Sequence, residues 1–84
     1  MSKLNLEIIS PTGVVFKGQC AMAVVPSAAG EIGVMQGHES VIASLKEGQV
    51  KVYDDKQNIV KTFDIVSGYA EMHGDDKLLV LLDS

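Results

Sequence analysis

Hydrophobic and polar residues alternate along much of the chain. The segment Lys3–Ser10 places apolar side chains on one side and polar ones on the other, which is typical of a half-buried strand. The segment Gln49–Tyr53 repeats the pattern, with Val50 and Val52 facing inward. The segment Cys20–Pro26 is apolar on both sides, as in a strand covered on both faces, and its proline is expected to end it.

Short segments rich in turn residues separate these patterns. The predicted turns and loops are 10–13, 27–30, 54–58, 67–68 and 74–76. The further predicted strands are 14–16, 41–45, 59–66, 69–73 and 77–82. The segment 41–45 fits a strand, and a helical turn fits it as well. Eight or nine short strands, spaced by roughly 8–12 residues, predict an all-β fold, namely an antiparallel β-sandwich or flattened barrel of eight to ten strands.

The last predicted strand is apolar on both sides. Leu78, Val80 and Leu82 point one way. Leu79 and Leu81 point the other way, and only one set can face the core of a sandwich. Exposed apolar strand faces promote aggregation, so the other set needs a cover. We predict that a partner surface provides it, with neighbouring loops as the alternative.

Composition narrows the function classes. The chain has 84 residues, enough for one domain, and a net charge of −4 with seven scattered basic residues. Nucleic acids and anionic lipids are held by clustered lysine and arginine, so this charge argues against both. The single cysteine, Cys20, excludes an internal disulfide and is expected to be a buried hydrophobe. The longest apolar run, Leu78–Leu82, is too short to span a bilayer, so a membrane is expected only through a partner.

The densest polar chemistry lies in the segment Gly30–Glu39. It holds three glycines, which predict two sharp bends in the chain. Glu31 and His38 are then expected at loop tips, one at each end of a very short strand. Metal coordination needs three or four suitably spaced ligands, and His38 with Glu31 and Glu39 is only the nearest approach to such a set, since isolated polar residues at loop tips are usually solvated or touch a partner. We therefore predict no catalytic, metal or cofactor site.

The same segment resembles the epsilon subunit of F-type ATP synthases, which is called delta in mitochondria. The resemblance is carried by Gly30-Glu31-Ile32-Gly33, by His38 and by Leu45-Lys46-Glu47-Gly48. It continues upstream and downstream over nearly the whole chain. The additional matching segments are 9–18, 24–26 and 67–72.

The resemblance implies a single β-sandwich domain over residues 1–84, without catalytic residues or a cofactor. It implies a rotor subunit that joins the gamma subunit to the c-ring and couples proton transport to ATP synthesis. Its position would be peripheral, on the cytoplasmic face of a bacterial inner membrane. The ring contacts carried over are Gly30, Glu31, Ile32 and Gly33. The gamma contacts carried over are His38, Val41, Ile42 and Ala43.

Two departures accompany the resemblance. Many family members continue into a two-helix hairpin that inhibits ATP hydrolysis, whereas this sequence stops at Asp83-Ser84. We therefore expect coupling without this form of inhibition. Gln36 also stands where the family often has proline.

Two other functions stay open from the residues alone. One is a β-sandwich module that binds a protein of another complex. The other is a lipoyl- or biotinyl-type carrier domain with Lys56 as the modified lysine, although the methionine or alanine expected beside that lysine is missing.

Overall fold

The computed structural model describes residues 3–37 and 41–83, and this part of the chain contains nine β-strands and no helix. The strands are β1 (Leu4–Ser10), β2 (Gly13–Cys20), β3 (Met22–Ser27), β4 (Gly30–Val34), β5 (Ile42–Leu45), β6 (Gly48–Tyr53), β7 (Ile59–Ile65), β8 (Gly68–His73) and β9 (Lys77–Leu82). The all-β prediction is confirmed. The segment 41–45 is a strand rather than a helical turn.

The strands form one curled sheet that folds into two halves. The five-stranded half has the order β2-β1-β9-β8-β5, and the four-stranded half has the order β7-β6-β3-β4. Neighbouring strands are antiparallel except for β1 and β9, which are parallel. The prediction of an antiparallel fold is therefore mostly right. The exception arises because the first and last strands of the chain lie side by side.

One long bent hairpin connects the two halves. Leu45 of β5 lies opposite Gly68 of β8, and Gly48 of β6 lies opposite Ile65 of β7. Two residues on one side, 46 and 47, are thus matched by two on the other, 66 and 67, so the register continues through the break. Strands that pass from one sheet to another in this way form the corners of sandwiches. The predicted turn at 67–68 is therefore wrong, because the chain bends there without reversing.

The predicted strand from Cys20 to Pro26 divides in two. Cys20 ends β2, the chain bends at Ala21, and Pro26 lies buried inside β3 instead of ending it. The carbonyl of Pro26 accepts a hydrogen bond from the amide of Lys46 at 2.9 Å. Because a strand residue directs its nitrogen and carbonyl to the same side, the missing N–H of proline faces the corner bend and interrupts no regular ladder.

The core lies between the two halves and follows the alternation of each strand. Leu78 and Val80 are fully buried, whereas Leu81 is 42% exposed, so the predicted division of the last strand is confirmed. Val50 and Val52 also face inward, as predicted. Two buried cross-strand rows of the five-stranded half are Leu6–Leu78–Met72 and Ile8–Val80–Ala70.

Aromatic packing brings the two end strands of the sheet together. The rings of Phe16 on β2 and Phe63 on β7 lie 5.4 Å apart between centroids, and the ammonium of Lys61 lies 6.0 Å from the Phe16 ring. Both end strands pair through a register shift, near Ile8 and near Val52. Bulges of this kind increase local twist and blunt exposed sheet edges.

A side chain organises the hairpin loop that joins β6 to β7. Asp54 Oδ1 accepts hydrogen bonds from the backbone amides of Lys56 and Asn58, both at 2.9 Å. Both hydrogen bonds favour the charged carboxylate and lower the pKa of Asp54, and the bond from Asn58 has the larger effect. This loop also holds Gln57 at a φ of 65°, a left-handed conformation that the neighbouring bonds fix.

Removing this carboxylate is expected to destabilise the domain in a pH-dependent way. The folded-state pKa of Asp54 lies below the unfolded value. Its carboxylate therefore contributes its full stabilisation of the fold at pH values above the unfolded pKa. It is lost as the pH falls through the folded pKa. Asp54→Ala should therefore lower the melting temperature at neutral pH, and the difference from wild type should vanish in acid. Asp75→Ala is the control, since Asp75 accepts through its backbone carbonyl. An equal decrease in melting temperature at neutral and at acidic pH would contradict this role of the Asp54 carboxylate.

Candidate functional site

The predicted ring-facing segment is an edge strand and not a loop tip. Gly30-Glu31-Ile32-Gly33 lies in β4, which pairs only with β3. The turn before it is just two residues long, Ala28 and Ala29, because Gly30 adopts a φ of 129° that closes the hairpin. The chain therefore re-enters the sheet before it reaches Glu31.

The four residues of this segment present different surfaces. Ile32 packs against the core and is only partly exposed. Glu31 is on the outer face, and its carboxylate lies 3.4 Å from the ammonium of Lys51 on β6. The two side chains reach across β3 to form this ion pair. The Glu31 side chain is 59% exposed, so it is the one charged group of the segment that a partner can reach.

The predicted gamma-facing residues also divide by orientation. His38 lies outside the described residues. Val41 is buried, and Ala43 packs against the core. Ile42 points outward and is 78% exposed, the highest value among the exposed large hydrophobic residues of the described part of the chain. Alternation along β5 thus leaves Ile42 as the side chain that can contact a partner.

Ile42 lies in a larger apolar surface that the resemblance did not single out. On the outer face of the five-stranded half, Ile9 lies beside Leu81, and Leu81 lies opposite Tyr69. Tyr69 is 53% exposed and sits diagonally from Ile42, within reach of an aromatic ring. We call this surface the outer apolar patch. Its members are Ile9, Val14, Ile42, Tyr69, Leu79 and Leu81.

Part of this patch was visible in the sequence. The two-sided apolar pattern of the last strand indicated that Leu79 and Leu81 need a cover. The sequence did not single out Tyr69, Ile9 and Val14, since each contributes one apolar side chain to the outer face of its own strand. Only the register of four strands brings them together.

Next to the apolar row of Ile9, Leu81 and Tyr69, charged residues alternate with Leu79 and Ile42. Glu7 lies beside Leu79 and forms an ion pair with Lys77 at 3.4 Å. Glu71 lies opposite Ile42 and contacts the imidazole of His73 at 2.6 Å. An apolar centre with a charged rim is typical of protein interfaces.

The two predicted contact segments meet at one place. The amide of Ala28 donates to the carbonyl of Ser44 on β5 at 2.9 Å, and Ser27 lies opposite Leu45. A shallow depression of about 260 Å³ runs between the turn and β5. It is lined by Ser27, Ala28, Ala29, Ile32, Ile42, Ala43 and Ser44.

Reactive groups in the described residues are isolated from one another. In residues 3–37 and 41–83, no three histidine, cysteine, aspartate or glutamate side chains lie together as metal ligands. Cys20 is buried, and desolvation raises the pKa of its thiol despite the opposing charge of Lys3. A protonated buried thiol is a weak nucleophile. The described residues form no helix that is long and apolar enough to span a membrane.

These features define a small all-β domain with an exposed apolar face. Residues 3–84 match the family model of the ATP synthase delta/epsilon chain β-sandwich domain, and the chain belongs to this family. It is 43% identical over 72 residues to the ATP synthase epsilon chain of Rickettsia bellii, covering 84% of this chain and 67% of that protein. It is 37% identical over 86 residues to that of Campylobacter fetus subsp. fetus, covering 99% and 63%. The chain thus spans about two thirds of these relatives.

Solved structures agree on the fold. A chain of the Euglena gracilis mitochondrial ATP synthase superposes with a TM-score of 0.87 at 18% identity, covering all of this chain and 52% of that one. A chain from the central stalk and c-ring structure of the Tetrahymena thermophila mitochondrial ATP synthase gives 0.75 at 10% identity, covering 96% and 63%. At these identities the likeness shows the fold alone.

Proposed function

We propose that the chain is a non-catalytic rotor subunit of an F-type ATP synthase. It docks the gamma subunit onto the c-ring, so that proton transport through the ring is coupled to ATP synthesis in the soluble head. Membership of the delta/epsilon family supports this function, as do relatives named ATP synthase epsilon chain. The fold neighbour from a central stalk and c-ring structure is consistent with it.

The outer apolar patch is the observation that carries the proposal. It exposes the side chains of Ile42, Tyr69 and Leu81 to solvent on one face of the sheet. Exposed apolar patches of this kind mark protein interaction sites. Permanent interfaces are more apolar than transient ones, and a rotor subunit needs a permanent one. We assign this patch to the gamma subunit, with Ile42 at its β5 end as the most exposed member. Of the residues carried over from the family, Val41 and Ala43 then support Ile42 from the core side.

The β4 segment is the proposed ring-facing surface. Glu31 offers an exposed carboxylate, and the adjacent Ala28-Ala29 turn is exposed beside it. Ile32 contributes from below by packing on the core, and Gly33 leaves space into which the Met22 side chain extends. The proposed location is peripheral, on the cytoplasmic face of a bacterial membrane, with the membrane reached through the complex.

The alternatives have less support. Lys56 sits in the loop that Asp54 organises, and its exposed side chain could carry a lipoyl or biotinyl group. However, residues 3–84 match the ATP synthase family over their whole length, which favours the rotor function. A docking role in another complex would use the same outer apolar patch, and binding to gamma distinguishes the two.

Replacing Glu31 tests the ring-facing assignment. Glu31→Ala removes an exposed side chain, so the fold should persist, while coupling in the assembled complex should weaken. Exposed charge pairs contribute less than about 1 kcal/mol, so the expected loss is modest, up to roughly fivefold in ring affinity. ATP-driven proton pumping is the measurement, with Asp64→Ala on β7 as the control. Unchanged pumping, or an unfolded variant, would count against the role.

A further inference from the structure

Two hairpins of this chain are built on the same turn. Ser10-Pro11-Thr12-Gly13 joins β1 to β2, and Ser27-Ala28-Ala29-Gly30 joins β3 to β4. In each, the serine hydroxyl donates to the carbonyl of the closing glycine and accepts the amide two residues after the serine. The closing glycines have φ values of 141° and 129°.

The two serines differ in their surroundings. Ser27 is only 3% exposed, the one buried polar residue of the described chain, whereas Ser10 is partly exposed. A buried hydroxyl must keep its hydrogen bonds, because water cannot replace them. Ser10 lies at the level of Ser27 in the sheet, four strands away along the path β5, β8, β9 and β1. This is about 19 Å measured along the curled sheet, so the two turns are separate.

Ser27 also lies at the junction of the two proposed contact surfaces. On one side its hydroxyl holds the backbone of the Ala28-Ala29 turn. On the other side the same residue pairs with Leu45 of β5. Its neighbour Ala28 donates a 2.9 Å backbone hydrogen bond to Ser44 of β5, and its neighbour Pro26 accepts one of 2.9 Å from Lys46, just after β5. That segment carries Ile42. The side chain of Ser27 therefore fixes the turn at the point where the turn is attached to β5.

We propose that Ser27 is a positioning residue, which holds the ring-facing turn in a fixed orientation relative to the gamma-facing Ile42. The inference rests on the proposed function, since it assigns a role to the connection between its two contact surfaces. Without the hydroxyl, the amide of Ala29 and the carbonyl of Gly30 lose their side-chain partner. The backbone bond from Ala28 to Ser44 still attaches the turn to β5, but the tip at Ala29 and Gly30 moves more freely, and force applied at the ring is passed to gamma with slip.

The local part of the proposal is tested by amide hydrogen exchange on the chain. Ser27→Ala should speed exchange of the Ala29 amide by roughly five- to tenfold, the amount expected for one hydrogen bond in a part-buried site. Ser10→Ala is the matched control and should change the equivalent Thr12 amide less, since water reaches that turn. Ser27→Thr keeps the hydroxyl and should restore slow exchange. Unchanged exchange at Ala29 in Ser27→Ala would overturn the proposal.

The functional part is tested in the assembled complex. Ser27→Ala should lower ATP-driven proton pumping below that of Ser10→Ala, while its affinity for gamma stays at the wild-type value. Pumping equal to that of Ser10→Ala would overturn the positioning role. Failure of the proposed function itself would give a different result. In that case Ile42→Asp would also leave gamma binding and proton pumping unchanged.

Discussion

Alanine at Gly68 is expected to destabilise this domain severely. A Cβ at this position would lie 2.2 Å from the carbonyl oxygen of Leu81 and 3.0 Å from the Cα of Leu82. Both are backbone atoms of the neighbouring strand. Gly68 pairs with Leu82 on one side and with Leu45 on the other, so β8 cannot shift without breaking a ladder. The clash therefore has no inexpensive relief.

The expected loss is about 3 kcal/mol or more, the upper part of the range for overpacking. A domain of this size has a total stability of roughly 4–13 kcal/mol, so the loss is a large part of it. Urea denaturation measures it. Gly33→Ala is the control, because the only close contact of the new methyl group would be the flexible thioether of Met22 at 3.2 Å, and Val24 at 3.9 Å is an ordinary van der Waals neighbour. A Gly68→Ala variant as stable as Gly33→Ala would contradict the packing at this corner.

A charge at Ile42 is expected to abolish most binding to the gamma subunit. The Ile42 side chain is 78% exposed, so Ile42→Asp should leave the fold unchanged. In the complex, however, a carboxylate would be buried against an apolar partner without a counter-charge. Loss of a well-packed interface residue of the hot-spot kind costs about 2 kcal/mol or more, and a buried uncompensated charge adds to this, so affinity should fall about thirtyfold or more.

Val60→Asp is the matched control for this prediction. Val60 is also an exposed apolar strand residue, 58% exposed, but it lies at the bulge of β7, away from the outer apolar patch. Its affinity for gamma should be that of the wild type. If Val60→Asp and Ile42→Asp weaken binding equally, or neither does, the patch is not the gamma-facing surface.

Most of the strands could be predicted from the sequence, because one-sided burial imposes a period of two. Lys3–Ser10 and Gln49–Tyr53 follow that rule, and β1 and β6 match them closely. Local turn chemistry also placed the loops at 54–58 and 74–76. These signals depend on residues close together in the chain, which is why they can be read without the structure.

Long-range pairing could not be predicted in this way. Nothing near Leu4 or Lys77 indicates that β1 and β9 lie side by side and parallel. Ser67-Gly68 has the composition of a tight turn, but the corner of the sheet uses the same residues for a bend without reversal. Pro26 suggested a strand end. In the structure its nitrogen faces the corner bend, where no ladder hydrogen bond is needed, so β3 continues through it.

The candidate site was partly predictable for the same reason. The resemblance located Glu31 and Ile42, and both prove accessible on the surface. It also included Ile32, Val41 and Ala43, whose side chains alternate toward the core. Tyr69, Leu81 and Ile9 join Ile42 through pairing of strands that are distant in sequence, so the extent of the patch is visible only in the fold.

Calorimetric titration of this chain with the purified gamma subunit tests the central claim most directly. We predict a one-to-one complex with a strongly negative heat-capacity change, because docking buries the outer apolar patch. The same titration with Ile42→Asp should give a much weaker complex. The absence of binding by a chain shown to be folded would contradict the proposed rotor function.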